Sequence, residues 1–291
     1  MRRDEKRSWA GWGHGLLGVV IFSGSLPATR AAVGGFTPLF LTSARAVIAA
    51  GLGAALLALL RQKRPGRRDL GALLVVALGV VIGFPLLTAL ALQHITSARS
   101  IVFIGLLPLA TALCGVLLRG GERPRPAFWL FSVAGSLLVA GFALARGEGT
   151  DPVGDLLMAA AILLCGLGYA QGALLSRRLG GWQVISWALV LSAPAMIVLA
   201  AATLPAAWSG IGASAWAGLA YVSVFSMLVG FVFWYRGLAL GGIAGVGQLQ
   251  LLQPFLGLAL AGLLLHEPVE GAMLAVAAGV VLCVVGAKRF A

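Results

Sequence analysis

The chain has 291 residues, 60% apolar and only 10% charged, with a mean hydropathy of +1.01 and a net charge of +12. Soluble domains average roughly 25% charged residues, so a soluble globular fold is excluded and a lipid-embedded one is expected. The positive charge does not point to nucleic acid, because the basic residues form short clusters between apolar runs rather than a tail or a patch.

A spanning helix needs about 20 apolar residues. Non-helical backbone would leave its amides unpaired in lipid, so the spans are helices. The sequence predicts ten, at about 14–33, 37–60, 70–93, 98–118, 127–146, 154–176, 182–203, 213–236, 245–265 and 269–287. The first follows MRRDEKRSW; it is too long for a signal peptide and lacks a small-residue cleavage site. It carries FSGSLPATR, with Ser23 and Ser25 flanking Gly24 and Pro27 just beyond. The second span holds Arg45 about eight residues from its outer end, ~12 Å deep at the rise of a helix. In the third, IGFPLLTALAL combines a packing notch at Gly79 and Gly83 with a kink at Pro85, the Phe84 ring and the Thr88 hydroxyl. The fourth presents Phe103, Ile104 and Leu107 before Pro108, and the sixth carries Tyr169 and Gln171 within CGLGYAQG.

The eighth span is expected to end on Trp234 and Tyr235, beside Arg236, as anchors at the membrane surface. The glycines at 237, 241 and 245, four residues apart, let helices touch closely. The ninth contains GVGQLQLLQPF. On a helix, Gln250 and Gln253 share a face with Gly247 while Gln248 points elsewhere, and Pro254 frees a backbone carbonyl near Gln250. The three cysteines, Cys114, Cys165 and Cys283, lie inside apolar runs and act as small hydrophobes.

Orientation follows from the basic clusters at 2–7, 61–68, 119–125, 177–178, 236 and 288–289, which ten spans place on one side. Of the 21 Lys and Arg residues, only Arg99 and Arg146 fall on the other side, and Arg30 and Arg45 lie within spans. Both termini are therefore expected in the cytoplasm. The chain also reads as two copies of one unit. Pro108 overlies Pro254 at an offset of 146, Glu122 falls near Glu267, and Gly34-Gly35-Phe36 overlies Gly180-Gly181-Trp182. Residues 1–148 form one five-helix unit and 149–291 the second, within one integrated membrane domain. Five is odd, so the second copy enters the membrane inverted, as in secondary transporters.

The segments PLFLTSARAVIAA, LTALALQHITSARS, GERP and RGLALGGIAGVGQLQLLQPFLGLALAGLLLHEP resemble those of the drug/metabolite transporter superfamily, specifically the ten-helix EamA-type exporters, whose members include aromatic amino-acid exporters. The likeness spans about 15–287. It implies an all-α membrane protein, a basket of ten helices around a central cavity that exports amino acids or other small metabolites from the bacterial plasma membrane. The family's arginine in span two is matched by Arg45, its prolines in spans four and nine by Pro108 and Pro254, and its glutamates by Glu122 and Glu267. Regular family equipment of this sort assigns Arg45, Pro108 and Pro254 to structure or gating.

The residues bear on the same question. An amide in hydrocarbon costs several kcal/mol without a partner, so Gln250 and Gln253 face either a solute or a neighbouring helix. The offset places Ser23 and Ser25 at the depth of Tyr169 and Gln171. The candidate substrate-binding set is Ser23, Ser25, Phe84, Thr88, Phe103, Tyr169, Gln171, Gln250 and Gln253. An amide wall facing an apolar one suits an amphipathic solute. None of the nine acids and none of the three histidines falls mid-span. Proton relays normally need one there, so uncoupled facilitated movement is expected. No cofactor or metal is expected; the partners are the solute and membrane lipid, not nucleic acid. A serine hydrolase lacks a histidine at the level of Ser25, and HEPVE lacks the second histidine of a zinc helix. A nucleotide-sugar, lipid-linked or drug transporter of the same fold is the alternative.

Overall fold

A computed structural model describes residues 2–91, 93–95, 97–118, 120–145, 151–265 and 271–291; side chains at 1–8, 26, 30, 92, 96–99, 101, 119, 143, 146–150, 258 and 261–271 are outside the description. Arg30, Arg99, Arg146, Glu148, His266, Glu267 and Glu270 thus lie outside the described side chains. Every regular element among the described residues is helical.

The helices are α1 (Arg2–Ser23), α2 (Ser25–Val33), α3 (Pro38–Leu59), α4 (Arg67–Ala91), α5 (Ser97–Ile104), α6 (Leu107–Leu117), α7 (Pro126–Leu144), α8 (Pro152–Leu179), α9 (Gly181–Ala202), α10 (Ala213–Gly241), α11 (Ile243–Gly247), α12 (Gln253–Leu265) and α13 (Gly271–Phe290). Among the described residues, seven stretches are long and apolar enough to cross a membrane: Trp9–Val33, Pro38–Leu59, Arg67–Ala91, Pro152–Leu179, Gly181–Ala202, Ala213–Gly241 and Ala272–Phe290. Their outer faces carry exposed leucine and valine, such as Leu74, Leu163, Val198 and Leu282, as lipid contact requires.

The expected fourth and ninth spans are not continuous. α5 gives way to α6 at Gly105 and Leu106, and α11 passes through a 3₁₀ segment, Gln248–Leu252, into α12. Pro108 and Pro254 account for this, because each lies in the first turn of the helix after the break, where its missing N–H costs nothing. α4 and α10 each contain a widened π segment, Ala77–Gly83 and Val222–Val229. Such segments recur at functional sites. The duplication is visible in these boundaries: α4 and α10 start 146 positions apart, as do α5 and α11, and α6 and α12.

Contacts gather the basic segments at one end. Arg177 pairs with Glu122 at 2.5 Å and Arg178 with Asp69 at 2.6 Å. Glu122 also accepts from the Ala244 N–H at 3.0 Å, and Lys288 lies over the rings of Trp9 and Trp12. The opposite end carries the stacked Trp208 and Trp216 and a contact of 3.3 Å between His94 and Asp151. Asp151 caps α8 by accepting from the Val153 and Gly154 N–H groups. Those two bonds, with His94 adding to them, hold its carboxyl below the usual carboxylate range.

At the basic end α1 and α10 pack backbone to backbone. A Cβ on Gly11 would lie 2.3 Å from the Gly241 nitrogen, and one on Gly237 would lie 2.6 Å from the Gly15 nitrogen. The close contact expected of the glycine ladder is therefore present. The anchoring role expected of Trp234 and Tyr235 is not. Both are fully buried, because α10 runs on to Gly241 and carries them inside the bundle. There the Tyr235 hydroxyl donates to the Gly168 carbonyl at 3.2 Å.

Candidate functional site

The bundle encloses two connected chambers. The inner one, about 120 Å³, lies between α1, α4, α8, α10 and the broken spans. The outer one, about 240 Å³, runs from it to Val33 and Pro38, both exposed, at the end away from the basic loops. Ser25, Arg45, Phe84, Pro85, Ile104 and Gln253 line both. The space is thus open at one end and closed at the other.

Helix breaks build the inner chamber. The 3₁₀ segment turns Gln250 into it, 3% exposed, with Nε2 donating to the Tyr169 hydroxyl at 3.1 Å. Its Oε1 has no partner among the described residues. The break at Gly24 frees Ser25 to bond the Ser226 hydroxyl at 2.8 Å across the chamber. Both π segments contribute wall: Val80 from α4, Ser226 and Met227 from α10. Phe22, Phe84 and Phe231 supply the aromatic part.

The walls pair up across the duplication. Ile104 and Gln250 both line the inner chamber and stand 146 positions apart; so do Leu107 and Gln253, and Val80 and Ser226. In each pair one repeat offers an apolar side chain and the other a polar one.

The same halves are found by comparison with known proteins. Residues 9–145 and 152–287 each match the EamA-like transporter family. The chain belongs to that family. It is 68% identical over 281 residues to the uncharacterized transporter YdeK of Bacillus subtilis (strain 168), covering 97% of this chain and 98% of the relative. It also superposes on a solved crystal structure with a TM-score of 0.80 at 22% identity, over 98% of this chain and 100% of that one, which shows the fold alone.

In this EamA-family transporter the chambers gather Ser25, Phe84, Thr88, Tyr169, Gln250 and Gln253 from the expected site residues. Three others lie elsewhere. Ser23 is fully buried, and its hydroxyl donates to the Val19 carbonyl of its own helix at 2.7 Å and to the Gln253 carbonyl at 3.4 Å. Phe103 packs against Ala91, Ile95 and Met158, and its neighbour Ile104 takes the wall position. Gln171 is half-buried outside both chambers, two residues beyond Tyr169 and so on another face of α8. Arg45 and Pro254, expected to serve structure or gating, line the walls, whereas Pro108 is buried behind them.

Sequence reading missed Ser226, Thr29 and Thr42. Only the offset links Ser226 to a wall position, through Val80.

Gln248 behaves as its helical direction requires. It is fully buried on the far side of the segment, and its Nε2 donates to the Ser132 hydroxyl at 3.0 Å. Such a bond between helices is worth about 0.6–2 kcal/mol. Gln248→Leu is therefore expected to change thermal stability slightly, by at most about 2 kcal/mol, and to leave solute binding intact. Loss of binding in that variant would place the chamber wall wrongly.

Proposed function

We propose that this transporter exports amino acids or similar small amphipathic metabolites, with large apolar or aromatic side chains preferred, by alternating access. The observation that carries the reading is the inner chamber, where Gln250, Gln253, Tyr169, Ser25 and Ser226 face Phe22, Phe84, Phe231, Ile104 and Leu107. Polar groups at one wall fix the head of a solute, and the rest accepts its apolar part.

The family match in two halves and the recurring helix ends support a unit of 1–148 and an inverted partner of 149–291, ten membrane-crossing segments in all. With the basic end toward the cytoplasm, both termini lie inside and the chamber faces outward. The match to a Bacillus protein supports the plasma membrane of a bacterium. The described residues of the two walls hold a single guanidinium, few charges for the several phosphate oxygens of a nucleotide sugar.

Transport is uncoupled. The described wall residues include no carboxylate and no imidazole to carry a proton. Purified protein in liposomes is expected to take up labelled phenylalanine or leucine at the same initial rate with and without a pH gradient. A strong dependence on the gradient would overturn the uncoupled mechanism. Failure of every amino acid to compete in the same assay would overturn the substrate class.

A further inference from the structure

A cation with no ion-pair partner among the described residues stands at the junction of the two chambers. Arg45 projects from α3 onto both walls. Its Nε is buried without a hydrogen-bond partner, and no described residue forms an ion pair with it. No described residue on either wall is Asp or Glu. A guanidinium stays protonated at neutral pH, and at membrane depth it is strongly unfavourable unless paired or hydrated. A purely structural arginine would have its partner built in. This one leaves its buried Nε without a partner among the described residues, beside an open space.

Two more polar atoms on the same walls have no partner among the described residues. The Thr88 hydroxyl lies on the outer chamber and Gln250 Oε1 on the inner one. If the Gln250 amide is turned over, its other atom is left without a partner instead, so the spare hydrogen-bonding capacity does not depend on its orientation. The junction therefore offers a fork of N–H donors with a hydroxyl on one side and an amide on the other. Phe84 stands beside it on both walls, and Phe22 and Phe231 lie on the inner one.

We propose that Arg45 is the receptor for the carboxylate of the transported solute, so that a free carboxylate is required and the matching ester or amide is rejected. The proposal rests on the reading that these chambers are the solute path. A carboxylate accepts two parallel N–H bonds from a guanidinium. A solute without it leaves a desolvated charge unpaired, which is why sites built around such a bond discriminate strongly. The amine is a lesser determinant, because only neutral acceptors such as Gln250 Oε1 are there to receive it. An arylalkyl acid without an amine thus binds better than the amine without the acid.

The test uses the intact protein in detergent, with ligand-induced thermal stabilisation as the readout. The probes are L-phenylalanine, 3-phenylpropionate, L-phenylalanine methyl ester and phenethylamine. Both acids are expected to stabilise the wild type, and the ester and the amine are not. Arg45→Gln is expected to bind the acids about ten- to a hundredfold more weakly, the range for losing a charge-assisted hydrogen bond. Arg45→Lys keeps the charge but not the fork and falls between. Equal stabilisation of the wild type by acid and ester, no stabilisation by either acid, or wild-type acid binding in Arg45→Gln would each overturn the proposal. The wild-type comparison decides it should Arg45→Gln fail to fold. Uptake of labelled phenylalanine separates this from the broader reading. Arg45-dependent binding of 3-phenylpropionate without phenylalanine transport upholds the receptor and removes the amino-acid substrate. Phenylalanine transport with equal binding of acid and ester does the reverse.

Discussion

Gly11→Leu is expected to abolish transport while leaving a folded protein that opens at its basic end. The atoms in the way are backbone. A Cβ at Gly11 would meet the nitrogen of Gly241 at 2.3 Å and its Cα at 2.5 Å, and the Leu240 carbonyl carbon at 2.9 Å. A side-chain neighbour can rotate aside, but two helix backbones can only separate. Over-packing a well-packed contact costs typically about 1–3 kcal/mol, and a leucine forced between backbones lies at or beyond the upper end.

That separation acts on one conformation selectively. The chambers open at Val33 and Pro38 and are closed toward the basic loops, where α1 meets α10. The contact is a seal in this conformation. A carrier that alternates must hold its two conformations within a few kcal/mol of each other, and a bias of about 5.5 kcal/mol carries a population from 1:99 to 99:1. The substitution removes a large part of the sealed state's advantage. The check combines uptake with labelling of Ile104→Cys, a half-buried position on both walls. Impermeant thiol reagent should reach it from the Val33 end in the parent and from the basic end in the variant. Normal transport by Gly11→Leu would show that the seal is not where the carrier opens.

The second large effect is on binding. Gln250→Leu is expected to lower solute affinity about tenfold or more, the loss that follows when a buried hydrogen bond to the solute is removed, with little change in thermal stability. In the empty chamber the amide makes one bond, to Tyr169, and leaves Oε1 unpaired. The net worth of one such bond is about 1 kcal/mol, and a buried unpaired polar atom costs about as much or more. The two cancel in the absence of solute. Gln248 has the same balance, one bond to Ser132 and an unpaired Oε1, so binding and not stability separates the two residues: Gln248→Leu spares it and Gln250→Leu loses it. Tyr169→Phe combined with Gln250→Leu should do no more damage than Gln250→Leu alone, because the two share one bond. Unchanged binding in Gln250→Leu would remove α11 and its 3₁₀ extension from the site.

The repeat was legible because helix ends are written locally, in prolines and glycines. Pro108 and Pro254 sit at matching places after matching breaks, and the offset between them locates Ile104 and Leu107 opposite Gln250 and Gln253 before any coordinates are known. One error arose where a helix departs from regularity. The break at Gly24 separates Ser23 from Ser25, so one serine satisfies its own backbone and the other crosses to Ser226. Phe103 and Ile104 are neighbours on α5 and so point about 100° apart, which gives the wall to Ile104 and sends Phe103 into the packing. Trp234 and Tyr235 look like surface anchors until α10 is seen to continue past them.

Composition and spacing by themselves determined that this chain folds as helices in lipid, that its basic loops share one end and that it is built twice. Each follows from a rule acting along the chain: backbone amides need partners in hydrocarbon, and charge stays on its own side. Which polar side chains meet across the gap, and that Arg45 faces an open space with nothing described to neutralise it, was decided only in three dimensions. Those facts depend on how far helices rotate at their breaks and how closely glycines let them approach, and neither quantity belongs to a single segment.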